Sequence, residues 1–235
     1  MNVLELFSGT GVLASIARER GHEAFTVDLT EPADLNADLL TLTAADLLAA
    51  TGWTHVDMVW ASPPCTGFSV ASIGRMWTKH DDGTYTPKHE TSRHGERLLR
   101  HALALIEALA PRVWYLENPR GMMRRQQPLA RHPRQTVTFC QYGEMRMKPT
   151  DIWHADGITW RARPHCRNGD TCHEAAPRGS STGTQGLKGW RTRARLPAAL
   201  CVEVIAAAEQ TLAAPKPGPE PTAPLFQPLD LEAQA

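Results

Sequence analysis

The feature that most constrains this chain comes at its start. Val3-Leu4-Glu5-Leu6-Phe7 reads as a buried strand and runs directly into the turn Ser8-Gly9-Thr10-Gly11. Residues 12–20 follow with apolar Val12, Leu13, Ile16 and Ala17 at helical spacing. A strand, a tight glycine turn and a helix make one α/β unit, and a unit of that kind needs parallel neighbours to bury its strand. Such neighbours are available. Phe25-Thr26-Val27-Asp28, Met58-Val59-Trp60-Ala61, Val113-Trp114-Tyr115-Leu116 and Thr136-Val137-Thr138-Phe139 all read as strands, with helical patterns between several of them. Between residues 96 and 109, Leu98, Leu99, Ala102, Leu103, Leu105, Ile106 and Leu109 form the broad stripe of a helix that covers a sheet, and residues 197–212 form a second clear helix. The expectation is an α/β, Rossmann-like fold: a mostly parallel sheet with helices on both faces.

A length of 235 residues suits one domain of moderate size. No run of about 18 apolar residues occurs, and the N-terminus lacks the basic start and apolar stretch of a secretory signal, so neither a membrane nor an exported protein is expected. Five cysteines, Cys65, Cys140, Cys166, Cys172 and Cys201, are odd in number and too sparse for a disulfide scaffold. They point to a reducing, cytoplasmic setting in which thiols act as nucleophiles, ligands or core residues. Residues 74–95 and 164–189 read as irregular, and the Pro-rich tail 213–235 reads as a disordered extension.

The net charge is zero, but it is strongly segregated. Residues 112–195 hold sixteen basic and six acidic side chains, a net charge of +10, which leaves −10 on the remainder. Three clusters stand out: Arg120-Gly121-Met122-Met123-Arg124-Arg125, Arg161-Ala162-Arg163 and Arg191-Thr192-Arg193-Ala194-Arg195. A polyanion is the natural partner of such a region.

Three motifs carry chemistry. Glycines after the first strand let a ligand approach the backbone at a helix N-terminus, and Asp28, about 20 residues on, is placed to accept hydrogen bonds from ribose hydroxyls. In Ala61-Ser62-Pro63-Pro64-Cys65-Thr66-Gly67-Phe68-Ser69, two prolines stiffen the backbone before Cys65. The thiol is thus presented where α/β folds bind ligands, and a thiolate there suits covalent catalysis. Trp114-Tyr115-Leu116-Glu117-Asn118-Pro119-Arg120 puts a carboxyl at the end of another strand, where burial raises its pKa and lets it hold a proton for a ring nitrogen. The bland readings are a structural turn, a small buried cysteine and a Glu117 paired with Arg120.

Taken in order, Phe7-Ser8-Gly9-Thr10-Gly11, Pro63-Pro64-Cys65 and Glu117-Asn118-Pro119 resemble the DNA cytosine-5 methyltransferase family, whose fold is the class I S-adenosylmethionine-dependent methyltransferase fold. The resemblance implies methyl transfer from S-adenosylmethionine to carbon 5 of cytosine in DNA, through a covalent bond between the Cys65 thiolate and carbon 6. The target base would be flipped from the duplex or come from a single strand. It makes Cys65 the nucleophile and Glu117 the proton partner at nitrogen 3. It assigns Phe7, Ser8, Gly9, Thr10, Gly11, Asp28, Asp38 and Pro63 to the donor. Gln141-Tyr142-Gly143-Glu144-Met145-Arg146-Met147-Lys148 is similar to the family's Gln-Arg-x-Arg region, which adds Arg146 to the catalytic set. Ser69, Asn118, Lys148 and Arg163 are the implied substrate contacts. The family's Gly-Asn before the last helix is missing here.

The resemblance spans roughly residues 1–150 and 185–212 and divides the chain into a catalytic core at 1–150, a reduced basic recognition segment at 151–190, a returning helix at 191–212 and the tail. His165-Cys166-Arg167-Asn168-Gly169-Asp170-Thr171-Cys172-His173 offers Cys166, Cys172, His165 and His173 as a conceivable zinc set, against free thiols in a DNA-contacting loop. A monomer is expected, with a cognate restriction enzyme as a conceivable partner. Two other readings stay open: the same chemistry on RNA, and a non-catalytic nucleic-acid-binding homologue. Thymidylate-synthase-like enzymes follow their Pro-Pro-Cys with His, and amino-methylating enzymes carry an aromatic residue where Cys65 stands.

Overall fold

The computed structural model describes residues 1–70, 73–175, 187 and 189–215. Seven strands form one sheet: β1 (Asn2–Leu6), β2 (Glu23–Asp28), β3 (Leu35–Asn36), β4 (Met58–Ala61), β7 (Val113–Pro119), β8 (Arg134–Thr138) and β9 (Pro149–His154). Their order is β3-β2-β1-β4-β7-β9-β8. The first five lie parallel, with Leu4 opposite Phe25 on one side and Val59 on the other, and Val59 opposite Trp114. β9 runs antiparallel between β7 and β8. β4 is buried throughout, and β1 and β7 are buried except at Asn2 and Pro119, as strands covered on both faces must be.

The strand order also fixes where the helices lie. The step from β1 to β2 through α1 (Val12–Glu19) moves one way along the sheet. The step from β3 to β4 through α2 (Ala44–Thr51), and from β4 to β7 through α4 (Glu90–Leu109), moves the other way. Right-handed crossovers therefore put α1 on one face and α2 with α4 on the other. α6 (Ala198–Ala213) packs beside α1, and Val204 O accepts a hydrogen bond from Tyr115 Oη on β7. By composition alone Arg191–Ala213 is long and apolar enough to cross a membrane. In this fold the stretch is interrupted before Pro197, and Leu200, Val204, Ile205 and Ala208 are buried in the common core.

The sequence and the fold differ in three places. The segment 74–95 is ordered rather than irregular. α3 (Ile73–Met76) leads into a hairpin of β5 (Trp77–Lys79) and β6 (Tyr85–Pro87), and α4 starts at Glu90 because His89 and Ser92 form a capping box there. A core boundary at residue 150 would cut through β9. Pro149–His154 lacks the continuous apolar run of a buried strand, yet Thr150 and Asp151 are fully buried. Their partners explain why: Asp151 receives Arg124 at 2.6 Å and the Thr136 hydroxyl at 2.7 Å. Residues 155–160 also join the core, with Ile158 and Trp160 buried and Trp160 edge-on to Tyr115. The tail from residue 216 and the part of the basic segment at 176–186 lie outside the described residues.

Candidate active site

The order in which the chain lays down strands reverses between β1 and β4, and the crevice at the C-terminal ends of these parallel strands is where doubly wound folds bind ligands. The glycine loop leaves β1 there and the Cys65 loop leaves β4. Phe7 (φ 56), Gly9 (φ 53) and Gly11 (φ 62) all take left-handed backbone, a shape that turns the chain sharply into α1. A Cβ at Gly9 or Gly11 would point into open space, so their need is conformational and the cradle faces outward.

Asp28 holds this loop. Its Oδ1 accepts from Thr30 N and Glu31 N at 2.9 Å and from Thr30 Oγ1 at 3.5 Å, while Oδ2 accepts only Gly9 N at 2.9 Å and so keeps an acceptor position for a ligand. A cavity opens beside it, with Phe7, Val27, Leu29, Asp38 and Leu39 on one side and Pro64, His94 and Leu98 on the other. Apolar walls with carboxylates among them fit a nucleoside, whose faces are apolar and whose edges donate. Asp38 reaches the cavity while capping the turn at Leu40. Pro64 rather than Pro63 lines it, and Pro63 is buried. Leu29 and His94 were not singled out in the sequence. An apolar residue directly after Asp28 was the available signal for the first, which the structure leaves 62% exposed. His94 is placed only by the path of α4.

Beneath this cavity lies the Cys65 loop. Asn118 Nδ2 donates to Pro63 O at 2.8 Å, tying β7 to the loop. Trp77 Nε1 donates to Gly67 O at 2.8 Å and its ring stacks on Phe68, so the β5–β6 hairpin braces the loop from the other side. Two glycines allow this close packing. A Cβ on Gly67 would come to 2.8 Å from Thr91 O, and one on Gly121 to 2.3 Å from Phe68 O. Gly121 was visible only as a member of a basic cluster. Ser69 sits exposed at the end of the loop's turn, and Thr10 is exposed on the glycine loop.

Glu117 is buried at the end of β7, and its Oε1 has no hydrogen-bond partner. Burial pushes its pKa up, against the pull of Lys148, the Ser62 hydroxyl and Arg146. Burial also raises the Cys65 thiol pKa, and Glu117 raises it further, while Lys148 and Arg193 draw it down. Cys65, Glu117 and Lys148 therefore form one electrostatic group. Lys148, at φ 29, sits over the Phe139 ring at 4.6 Å and donates to Arg193 O at 3.1 Å.

The two arginines expected alongside them have other engagements. Arg146 is fully buried, donating to Arg193 O at 2.7 Å and Arg195 O at 2.8 Å, so it fastens the end of α5 (Trp190–Ala194) to the core. Lys148, two residues further on, and Arg193 are the cations that pull the thiol down, while Arg146 pulls on Glu117. Arg163 lies over Tyr142 and donates to Glu203 Oε1 at 2.7 Å and Gln141 O at 2.6 Å, which anchors residues 161–163 to α6. Much of the basic region is thus structural. The zinc set inferred from spacing does not assemble as expected either: His165 Nδ1 donates to Cys166 O at 2.7 Å.

No family model matches this sequence. A protein of Frog virus 3 (isolate Goorha), named as a probable DNA (cytosine-5)-methyltransferase, is 31% identical over 224 residues, which cover 87% of this chain and 99% of the viral one. Among solved structures, a prophage-encoded Escherichia coli protein described as a DNA modification methyltransferase is 20% identical, covering 66% of this chain and 46% of its own, with a TM-score of 0.47. A Spodoptera frugiperda DNMT2 mutant is 17% identical, covering 69% and 53%, with a TM-score of 0.43. The chain spans about half the length of these solved structures, whereas it matches the viral relative end to end.

Proposed function

Because this chain belongs to the DNA (cytosine-5)-methyltransferase family, we propose that its crevice transfers a methyl group from S-adenosylmethionine to carbon 5 of a cytosine in DNA, with Cys65 as nucleophile. The observation that carries this reading is the buried, unpartnered Glu117 Oε1 beside the Cys65 loop and Lys148. A raised carboxyl pKa suits a group that must present a proton at neutral pH. The ring nitrogen 3 of an unpaired cytosine is such a partner.

The chemistry follows from charge. Carbon 5 of cytosine is a weak nucleophile. Addition of the Cys65 thiolate to carbon 6 forms an S–C bond, and the displaced electron pair moves toward nitrogen 3, which takes the proton held by Glu117. The ring is then an enamine with electron density at carbon 5. The donor supplies, when bound, an electrophilic methyl group. After transfer, the carbon 5 proton leaves to solvent, the S–C bond breaks to return the thiolate, and Glu117 recovers its proton from nitrogen 3. Lys148 favours the thiolate at both ends of this sequence. Asp28 and Asp38, with the Phe7 and Leu29 side chains, would hold the donor's nucleoside in the cavity.

The test incubates the protein with labelled S-adenosylmethionine and either DNA or RNA, followed by mass spectrometry of the nucleosides. Label in 5-methylcytosine from DNA, lost in Cys65→Ala, is expected. Label in RNA alone would replace DNA as the substrate, and no label in either polymer would overturn the reading.

A further inference from the structure

Four side chains outside the crevice converge in a way the methyl-transfer chemistry does not use. Cys140, Cys166, Cys172 and His173 present one potential ligand atom each, and all four atoms lie within 4.8 Å of one another. The individual separations are 3.1 Å for Cys140 Sγ to Cys166 Sγ and 3.6 Å for Cys172 Sγ to Cys140 Sγ. From His173 Nδ1 it is 3.7 Å to Cys166 Sγ and 3.5 Å to Cys172 Sγ. A zinc tetrahedron with Zn–S of about 2.3 Å and Zn–N of about 2.0–2.1 Å has S–S edges of roughly 3.8 Å and S–N edges of roughly 3.5 Å. Three of the observed edges, at 3.5–3.7 Å, match that size; the Cys140–Cys166 edge is shorter and would open by about 0.7 Å around the ion, and the other two edges are at most 4.8 Å.

We propose that Cys140, Cys166, Cys172 and His173 bind a structural zinc ion that fastens the segment after β9 to the loop after β8. With four protein ligands the site is closed, as structural zinc sites are, and no position is open for a catalytic water. One outer donor to a sulfur is in place. Gln141 Nε2 donates to Cys172 Sγ at 3.3 Å, the kind of outer hydrogen bond that orients a metal-bound sulfur. Cys166 N donates to Thr138 Oγ1 at 3.3 Å and fixes its backbone at the end of β8. Spacing alone could not find this set, because Cys140 stands 26 residues before Cys166 on another element and takes the place given to His165.

Mechanically, the ion would close a link between residues 166–173 and the turn at Phe139–Tyr142. Glu174 N donates to Met145 O at 2.8 Å just beyond it, and Phe139 carries Lys148 on its ring. The link is therefore continuous with the backbone that positions the cation of the crevice.

The test uses the full chain, purified without chelators. Elemental analysis should give one zinc per chain. Replacement by Co2+ should give thiolate-to-cobalt charge-transfer absorption with the visible bands of a tetrahedral site, in an intensity that counts three thiolates. Cys140→Ser should lose the metal or lower the thiolate count to two, while His165→Ala keeps both metal and spectrum. The cobalt spectrum of the unmodified chain decides the matter even if Cys140→Ser fails to fold. Absence of stoichiometric zinc together with absence of the charge-transfer bands overturns the proposal. So does loss of metal in His165→Ala with an unchanged three-thiolate spectrum in Cys140→Ser, or a Cys140–Cys166 disulfide in the freshly purified protein.

Discussion

Asn118 grips the carbonyl of Pro63 across the gap between two parallel strands, with Nδ2 and O 2.8 Å apart and both residues buried. One amide thus sets the distance between the strand that bears Glu117 and the loop that bears Cys65. Asn118→Ala leaves a buried carbonyl unpaired, at a cost of about 1–3 kcal/mol. Urea denaturation should show that loss, and single-turnover methyl transfer should fall at least tenfold while donor affinity is retained. Asn118→Asp should be worse, because it adds a buried negative charge beside Glu117. Unchanged turnover in both would show that the loop holds itself.

The Cys65 thiol is pushed up by burial and by Glu117 and pulled down by Lys148. Glu117→Gln removes a carboxyl that turns negative once it gives up its proton, so above that point the thiol pKa should fall and the alkaline arm of Cys65 alkylation by iodoacetamide should move to lower pH, speeding alkylation. Lys148→Met removes a positive neighbour and should slow it. Peptide mass spectrometry separates Cys65 from the other four cysteines. The two variants should move the pH midpoint of alkylation in opposite directions, and movement in the same direction would refute the electrostatic grouping.

Glu5 provides a pH dependence of stability. It is buried on β1, its Oε2 accepts the Ala14 amide of α1 at 2.9 Å, and burial pushes its pKa up to about 8. The folded state therefore binds a proton that the unfolded chain has released above its ordinary carboxyl range. Stability is full below that range and declines as pH rises through it to about 8. Glu5→Gln should match the unmodified protein at pH 4 and exceed it at pH 9, by a few kcal/mol as an order of magnitude. Thermal melts at the two pH values check this.

Gly121 meets the Cys65 loop without a side chain, since a Cβ there would lie 2.3 Å from Phe68 O, a backbone atom with little room to give. Gly121→Ala should lower stability by about 1–3 kcal/mol, as overpacking does, and reduce methyl transfer. Gly83→Ala, in the exposed turn of the β5–β6 hairpin, is strained only by its own φ of 83 and should leave methyl transfer nearly unchanged. Equal losses of turnover in the two variants would remove the special role of position 121.

Features that depend on near neighbours were legible in the residues alone. Strand, glycine turn and helix are coded within residues 3–20, the long helix shows its stripe at 98–109, and the loop around Cys65 is stiffened by its own prolines. Such signals arise from backbone dihedrals and the 3.6-residue period, which adjacent residues set. The tertiary structure decided what depends on distant partners. β9 is a polar stretch that becomes a sheet strand because Arg124 and Thr136 satisfy Asp151. Arg146 and Lys148 are both held beside the crevice because the end of α5 brings Arg193 O within reach of the two of them. Cys140 joins Cys166, Cys172 and His173 because the turn after β8 folds back against residues 166–173. In each case a buried charge or polar atom must find a partner, and the chain's path, rather than its local pattern, determines which partner is within reach.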